Sequence, residues 1–349
     1  MPLPNPTSSE SRNEFVARCV IDFNVRNDFE TIEQRIAVCN SLYEQEKEIK
    51  SAEENFNKSF DRLLDSQERK QAKLFYSYYQ DQYDKGIKMF IQQGSLNAGD
   101  VEAFFQLIDL ERLYKELYTN VGMAFATWYA KNFKKFISKQ LDLDVQGSIW
   151  QQAFAFFGGQ VAARRVTLVS GTAKNTLIAI CAKLMRDPEF MRKGNDEKAR
   201  IMRNQFKRYS DYQAKRVVRT EMASASNYAT LRSANDIFGA DQMVKRWSTR
   251  LDGKEREAHQ IANGQTVEFN QSFEVGGEKL AFPGSGSIAS NNINCRCKSI
   301  PLPKPNAQAI GEITGIGYGL QGANIGRAIG GEIINQVIAS TIVNETLKD

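Results

Sequence analysis

From Val101 to Phe136 the apolar residues Phe104, Leu107, Leu110, Tyr114, Leu117, Val121, Phe125 and Trp128 recur every three or four positions, and no other feature of the chain constrains its fold as strongly. That period places one row of side chains on a single helix face for many turns, so the spacing predicts a long helix with one buried stripe. At about 1.5 Å per residue it would reach roughly 50 Å. Residues 43–92 carry dense mixed charge with Ile49, Phe56, Phe60, Leu63 and Leu64 at helical spacing, which predicts a second long amphipathic or coiled helix. Glu197 to Asn235 repeats the pattern through Phe206, Tyr209, Val217, Val218, Met222, Ala225 and Leu231. Its small residues Ser224, Ala225, Ser226 and Ala229 permit close packing. Gly158-Gly159, the Val-rich stretch 166–169 and Gly171 read as a break and a plausible core boundary, followed by a helix over Thr172–Leu184.

The two ends differ. Prolines at positions 2, 4 and 6 forbid regular helix, so residues 1–10 read as an extended arm. Between Asn13 and Glu46, Phe15, Cys19 and Val20, then Ile36, Val38, Cys39 and Leu42, mark two short helices forming a hairpin. After Gly239 the grammar changes, because Met243–Thr249, Thr266–Phe269 and Lys279–Phe282 are short strand-like runs separated by Gly, Asn and Pro turns. Pro301, Pro303 and Pro305 read as the stop of that module. Beyond lies a Gly-rich tail (Gly311, Gly315, Gly319, Gly322, Gly326, Gly330) and an apolar helical face formed by Ile334, Val337, Ile338 and Ile342. The expected fold is mainly α with a small α+β C-terminal module. Its parts are an arm and hairpin over 1–46, long helices over 47–160, a helical segment over 161–240, a strand-containing module over 241–303 and the tail over 304–349.

Composition narrows the class. Hydrophobic residues at 42% and charged residues at 25% are ordinary globular usage and argue against wholesale disorder. The balance of 46 basic and 41 acidic side chains is too even to act as a general polyanion signal. Between Lys183 and Arg219, however, twelve Lys or Arg stand against five Asp or Glu. The opening MPLPNPTSSESRNE has no basic start followed by an apolar run, and no window reaches the roughly 18 uncharged apolar residues of a spanning helix. The expectation is therefore a reducing cytosol, with no secreted disulfide framework among the five cysteines; Cys19 and Cys39 either face one another across the hairpin or, the preferred reading, are two buried apolar cysteines.

The stretch Trp247 to Pro301 contains, in order, Trp247, Thr249, Asp252, Arg256, His259, Asn263-Gly264, Phe282-Pro283-Gly284 and Asn294-Cys295-Arg296-Cys297, preceded by Arg219-Thr220-Glu221 and Asn227. This combination resembles the head morphogenesis domain of Mu-type phage minor head proteins, most strongly over 215–300. In other members of that family a Cys-x-x-Cys pair that could bind zinc stands mid-module, whereas Asp252–His259 contains no cysteine. The resemblance implies a virion protein present in few copies, placed in the head and, during assembly, in the host cytoplasm. Its implied partners are the portal protein, other head proteins and packaged double-stranded DNA. No cofactor and no enzymatic activity are implied. The N-terminal Asn13-Glu14-Phe15, Arg18-Cys19 and Gln34–Cys39 resemble a short hairpin motif appended to phage head and protease proteins.

Three functions are in view. The first is a structural minor head protein acting in head assembly at or near the portal vertex, with Ile334, Val337, Ile338 and Ile342 docking on a neighbour. The second is an ejected or membrane-active virion protein that assists DNA delivery, its tail contacting a membrane. The third is a Cys–His enzyme of the virion using Cys295 as nucleophile and His259, the only histidine, as base, oriented by Asn263 or Asn294. His259, Cys295 and Cys297 also supply three metal-ligand types, but zinc prefers four and Cys-x-x-Cys is the commoner spacing, so no metal is expected. Arg219, Ser248-Thr249 and Glu255-Arg256-Glu257 follow the Arg, Ser-Thr, Glu-x-Glu order of ADP-ribosyltransferases. The few residues between Ser248 and Glu255 leave no room for an intervening strand and catalytic loop, and that reading is set aside. Arg219 and Glu221 point to different helix faces and are expected to anchor the helix to the C-terminal module.

Overall fold

The computed structural model describes residues 4, 6, 7, 10–133 and 143–303. Most of the proline-rich arm and the whole of the tail, with Ile334, Val337, Ile338 and Ile342, lie outside the described residues. The chain divides into two compact units, residues 1–63 and 64–349.

In the first unit, α1 (Arg12–Val20) starts at Ser11, whose hydroxyl accepts the Glu14 N–H while the Glu14 carboxylate accepts the Ser11 N–H at 2.8 Å. This reciprocal cap satisfies two amide donors that a helix start otherwise leaves orphaned. A short α2 (Phe23–Asp28) is capped by Asp22. The second helical pattern is then not a separate short helix but the opening turns of α3 (Ile32–Gln93), 62 residues long. Phe15, Cys19, Val25 and Cys39 form a small buried core, and Cys19 is joined to Cys39 by a disulfide with the Cα atoms 5.9 Å apart. This corrects the expectation of two separate thiols. Four buried side chains make a meagre core, and a covalent staple is what small cores commonly add.

The second unit is built on α4 (Ala98–Phe104), α5 (Leu107–Phe133), α6 (Leu143–Met185), α7 (Pro188–Met191) and α8 (Asn195–Phe238). The apolar stripe faces inward as expected, with Leu110, Tyr114, Leu117, Val121 and Phe125 fully buried. It is not one helix, however. The chain leaves helical geometry at Phe105, which is buried with its ring edge-on to Tyr78 at 6.0 Å.

The break expected around 158–171 is absent, because α6 runs through both glycine positions. None of these glycines breaks the helix, and Gly158 and Gly159 are contact points against α5. A Cβ at Gly158 would lie 2.6 Å from Tyr118 Cβ, and one at Gly122 would collide with the Phe154 ring, so α5 and α6 approach closely only without those atoms. Beside this contact Phe157 stacks on Tyr228 of α8 at 3.9 Å. Among the described residues no helix is long and apolar enough to cross a membrane.

After α8 come β1 (Met243–Ser248), α9 (Glu257–Ala262), β2 (Thr266–Glu268), β3 (Phe273–Val275), β4 (Glu278–Leu280), α10 (Ala289–Asn292) and β5 (Lys298–Pro303). An antiparallel sheet has the order β2-β1-β5, and β3 pairs with β4 as a separate ribbon. Pro301 and Pro303 do not end the module ahead of its last strand but sit within that strand, opposite Lys245 and Met243. β5 is an edge strand, and a proline there can turn its missing donor away from the ladder.

Candidate functional site

The residues that carry the sequence pattern converge where α8 meets the strand module. From Glu221 to Asn235 every residue of α8 is buried, which is possible because so many are Ala, Ser or Thr. Small side chains admit other backbone: Gly284, at φ +91°, lies so close that a Cβ would stand 2.6 Å from the Ser224 nitrogen. Asn227 then bonds in several directions. Its amide donates to the Ala223, Pro283 and Cys297 carbonyls at 2.7, 3.3 and 3.1 Å, and its oxygen accepts the Ser299 N–H at 2.6 Å. One side chain thereby ties the Phe282-Pro283-Gly284 loop and the Cys-x-Cys segment to the helix.

Arg219 and Glu221 behave differently from the expectation. Arg219 donates to Glu68 of α3 at 2.7 and 3.0 Å and, among the described residues, not to the module. Glu221 accepts from Tyr118 of α5 at 2.8 Å and from Arg165 of α6 at 2.7 Å. Only Arg165 continues onward, to the Gly284 carbonyl at 3.3 Å. The two residues tie α8 mainly to other helices, because the module covers a different face.

Asn294 adopts φ +57° and its N–H donates to the Thr220 hydroxyl at 3.1 Å, fixing where the Cys-x-Cys segment leaves α8. From there the chain is extended, so alternate side chains share a face. Cys295 and Cys297 point inward, while Arg296 forms a two-pronged pair with Asp252, one contact at 2.8 Å. On the inner side His259 of α9 places Nδ1 3.3 Å from Cys297 Sγ and 3.8 Å from Cys295 Sγ. The three side chains are 2%, 2% and 5% exposed for His259, Cys295 and Cys297, and their ligand atoms all lie within 4.8 Å of one another. Trp247 meets His259 edge-to-face at 5.6 Å and Phe273 at 5.3 Å. The Arg256 guanidinium donates to the Ile293 carbonyl, holding the start of α9 against the approach to Cys295.

Hydrogen bonding from the Cys297 thiol, followed by the nearby His259, pulls the Cys295 thiol below its ordinary range, while that same bond to Cys295 and burial push Cys297 up. A nucleophilic pair has its parts here but lacks access and orientation. Cys295 is shielded from solvent, Asn263 spends its side-chain oxygen on the Thr249 N–H at 2.9 Å, and His259 Nε2 has no partner among the described residues. Ser248 and Thr249 are likewise buried.

Sequence reasoning missed Lys245, which is buried with its ammonium donating to the Ala281 carbonyl at 2.7 Å and standing 5.2 Å above the Phe273 ring. Burial lowers its pKa to about 7. The signal was present, since Met243, Lys245 and Trp247 alternate along β1 and must share a face. It also missed Arg250, which forks onto Asp65 at 2.6 and 2.8 Å.

Residues 191–300 match the family model described as phage Mu protein F like protein. The matched span begins at the end of α7 and closes in β5, so it takes in all of α8, Asn227, His259 and both inward cysteines. Over that span, under a third of the chain, the protein is similar to the Mu-type head morphogenesis family, which supports a phage head-related protein. A curated relative, the NAD(+)–arginine ADP-ribosyltransferase EFV of Enterococcus faecalis, is 28% identical over 92 residues, 26% of this chain and 19% of the relative. The chain thus spans about a fifth of that relative's length. No solved structure matches the chain.

Proposed function

We propose that the protein is a structural minor head protein that joins the assembling head at or near the portal vertex, in the host cytoplasm, and works by contact with the portal and neighbouring head proteins without catalysis. The observation that carries this reading is the match over 191–300 combined with what its polar residues do. Asn227, Glu221, Arg256 and Arg296 are all spent on holding the body together. Contact with packaged DNA is a lesser part of the proposal. Within the basic stretch, Arg192, Arg200, Arg203, Lys215 and Arg219 are paired with Glu189, Glu197, Asp84, Asp211 and Glu68, of which only Asp84 and Glu68 come from outside it, so most of its excess charge remains. Docking through Ile334, Val337, Ile338 and Ile342 of the tail belongs to the same proposal.

The test is mass spectrometry of purified particles before and after DNA ejection. The expected result is this chain in few copies relative to the shell protein, retained after ejection. Absence from both immature and mature sedimented particles overturns the reading, and loss on ejection favours a delivery role. A second reading takes its support from the name of the Enterococcus faecalis relative. Incubating the purified chain with labelled NAD and an arginine-bearing acceptor tests it: label transfer would establish an enzyme, and none is expected.

A further inference from the structure

The cluster of His259, Cys295 and Cys297 is more than a packing feature. The strands around it are short, three of the five having only three residues, and the core they share with α8 is small: Ala223, Trp247, Ala262, Phe273, Val275, Leu280 and the two cysteines. A body with so little apolar material commonly relies on a staple. Cys295 and Cys297 share a face because the chain is extended there, and α9 supplies the imidazole from the other side. Nδ1, turned toward the sulfurs, makes the only polar contacts that ring has among the described residues.

The spacing of these donors can be compared with a metal site. Zinc binds imidazole nitrogen at about 2.0–2.1 Å and thiolate sulfur at about 2.3 Å, so a tetrahedral angle separates the two donors by roughly 3.6 Å. The two Nδ1–Sγ distances, 3.3 and 3.8 Å, lie either side of that value. Two sulfurs and one nitrogen are the donor types that select zinc over magnesium or calcium. All three side chains are shielded from bulk solvent.

We propose that His259, Cys295 and Cys297 bind one zinc ion, with a water or other small donor in the fourth position, tying α9 to the segment that enters β5. Its role is structural, since binding pulls together two segments separated by 38 residues in sequence. The proposal revises the expectation of a metal-free module and does not depend on the protein's place in the virion.

The test uses the full chain. Elemental analysis after gel filtration should find about one zinc per chain. A cobalt-substituted sample should show thiolate-to-metal charge-transfer bands with the visible spectrum of a tetrahedral site. Cys297→Ala and His259→Ala should lose the metal, whereas Cys181→Ala, at a buried cysteine of α6, should keep it. Should those variants fail to fold, the wild-type chain still decides the matter. Chelator should lower its melting temperature and a stoichiometric return of zinc should restore it. A wild-type chain that takes up no zinc when stripped and resupplied, or that melts at one temperature with and without chelator, overturns the proposal. Zinc retained by a Cys295→Ala/Cys297→Ala double variant does the same.

Discussion

Replacing glycine by alanine at two positions of α6 should have opposite effects, and the reasoning can be worked from the contacts. In a helix interior alanine is favoured over glycine by about 1 kcal/mol. At Gly171 a Cβ meets nothing within 4 Å, so Gly171→Ala should realise most of that gain and stabilise by about 0.5–1 kcal/mol. At Gly158 the same atom would stand 2.6 Å from Tyr118 Cβ and 3.3 Å from Lys115 Cα, where carbon atoms ordinarily rest about 3.5–4.0 Å apart. Neither neighbour can swing aside. One is a backbone atom, and the other begins a fully buried ring whose hydroxyl donates to Glu221. The helices must part, loosening the Phe157–Tyr228 stack, and overpacking of this kind costs about 1–3 kcal/mol. After the propensity gain, Gly158→Ala should be destabilised by up to about 2 kcal/mol. Thermal melts of the two variants should then bracket the parent, a few degrees apart at roughly 2 °C per kcal/mol. If Gly158→Ala melts at or above the parent, or Gly171→Ala falls as far as Gly158→Ala, the close-approach argument is refuted.

Two further outcomes follow from the buried lysine and the disulfide. Lys245 has a pKa of about 7 in the fold against an ordinary 10.5, so between those values the unfolded chain binds a proton that the native one does not. Stability should therefore rise with pH at about 1.4 kcal/mol per unit, with the full penalty in place below pH 7. From pH 7 to 9 the parent should gain on Lys245→Met by about 2–3 kcal/mol, read as urea midpoints of peptides covering β1 by pulsed hydrogen exchange. Parallel pH profiles for the two proteins would contradict the assignment. Opening the Cys19–Cys39 bridge, which spans a separation of 20 residues, by Cys19→Ser/Cys39→Ser should cost about 3 kcal/mol and speed amide exchange in α1 and α2. Unchanged exchange there would mean that packing alone holds the first unit.

What could be read from the sequence was whatever depended on local period. The stripe from Leu110 to Phe125 announces itself at a spacing of three or four, as does the earlier part of α8 through Phe206 and Val218, whereas the all-round burial of Glu221–Asn235 carries no such period. β1, β2 and β4 were visible as short runs between turn residues. What failed depended on partners distant in the chain. Gly158 and Gly159 are helix breakers by propensity, and only the proximity of Tyr118 and Lys115 makes glycine the fitting residue inside α6. β5 was hidden because Pro301 and Pro303 argue against a strand until its edge position is known. Cys19 and Cys39 carry no local mark of pairing, since a bridge requires two Cα atoms within reach and the sequence places them only on helical segments. At the candidate site the Cys-x-Cys spacing already implied two side chains on one face of an extended segment. That His259 would meet them was raised only because it is the single histidine, and the sequence could not fix it, since the meeting requires the connection between β1 and β2 to deliver α9 to that face.

The start of the family match at residue 191, well before the first strand, has a physical reason. The strand module does not own its core: Ala223 of α8 is part of the buried cluster with Trp247, Phe273 and the two cysteines. Nor does it satisfy its own backbone. The Pro283 and Cys297 carbonyls and the Ser299 N–H all find Asn227, and the Asn294 N–H finds Thr220. A chain cut after α8 would bury those groups without partners or expose the cluster to water, and each unsatisfied group costs on the order of 1–3 kcal/mol. Helix and module therefore form one folding body. A sequence signature that must specify this body has to begin on the helix, since Asn227 there holds the Cys-x-Cys segment some seventy residues further on.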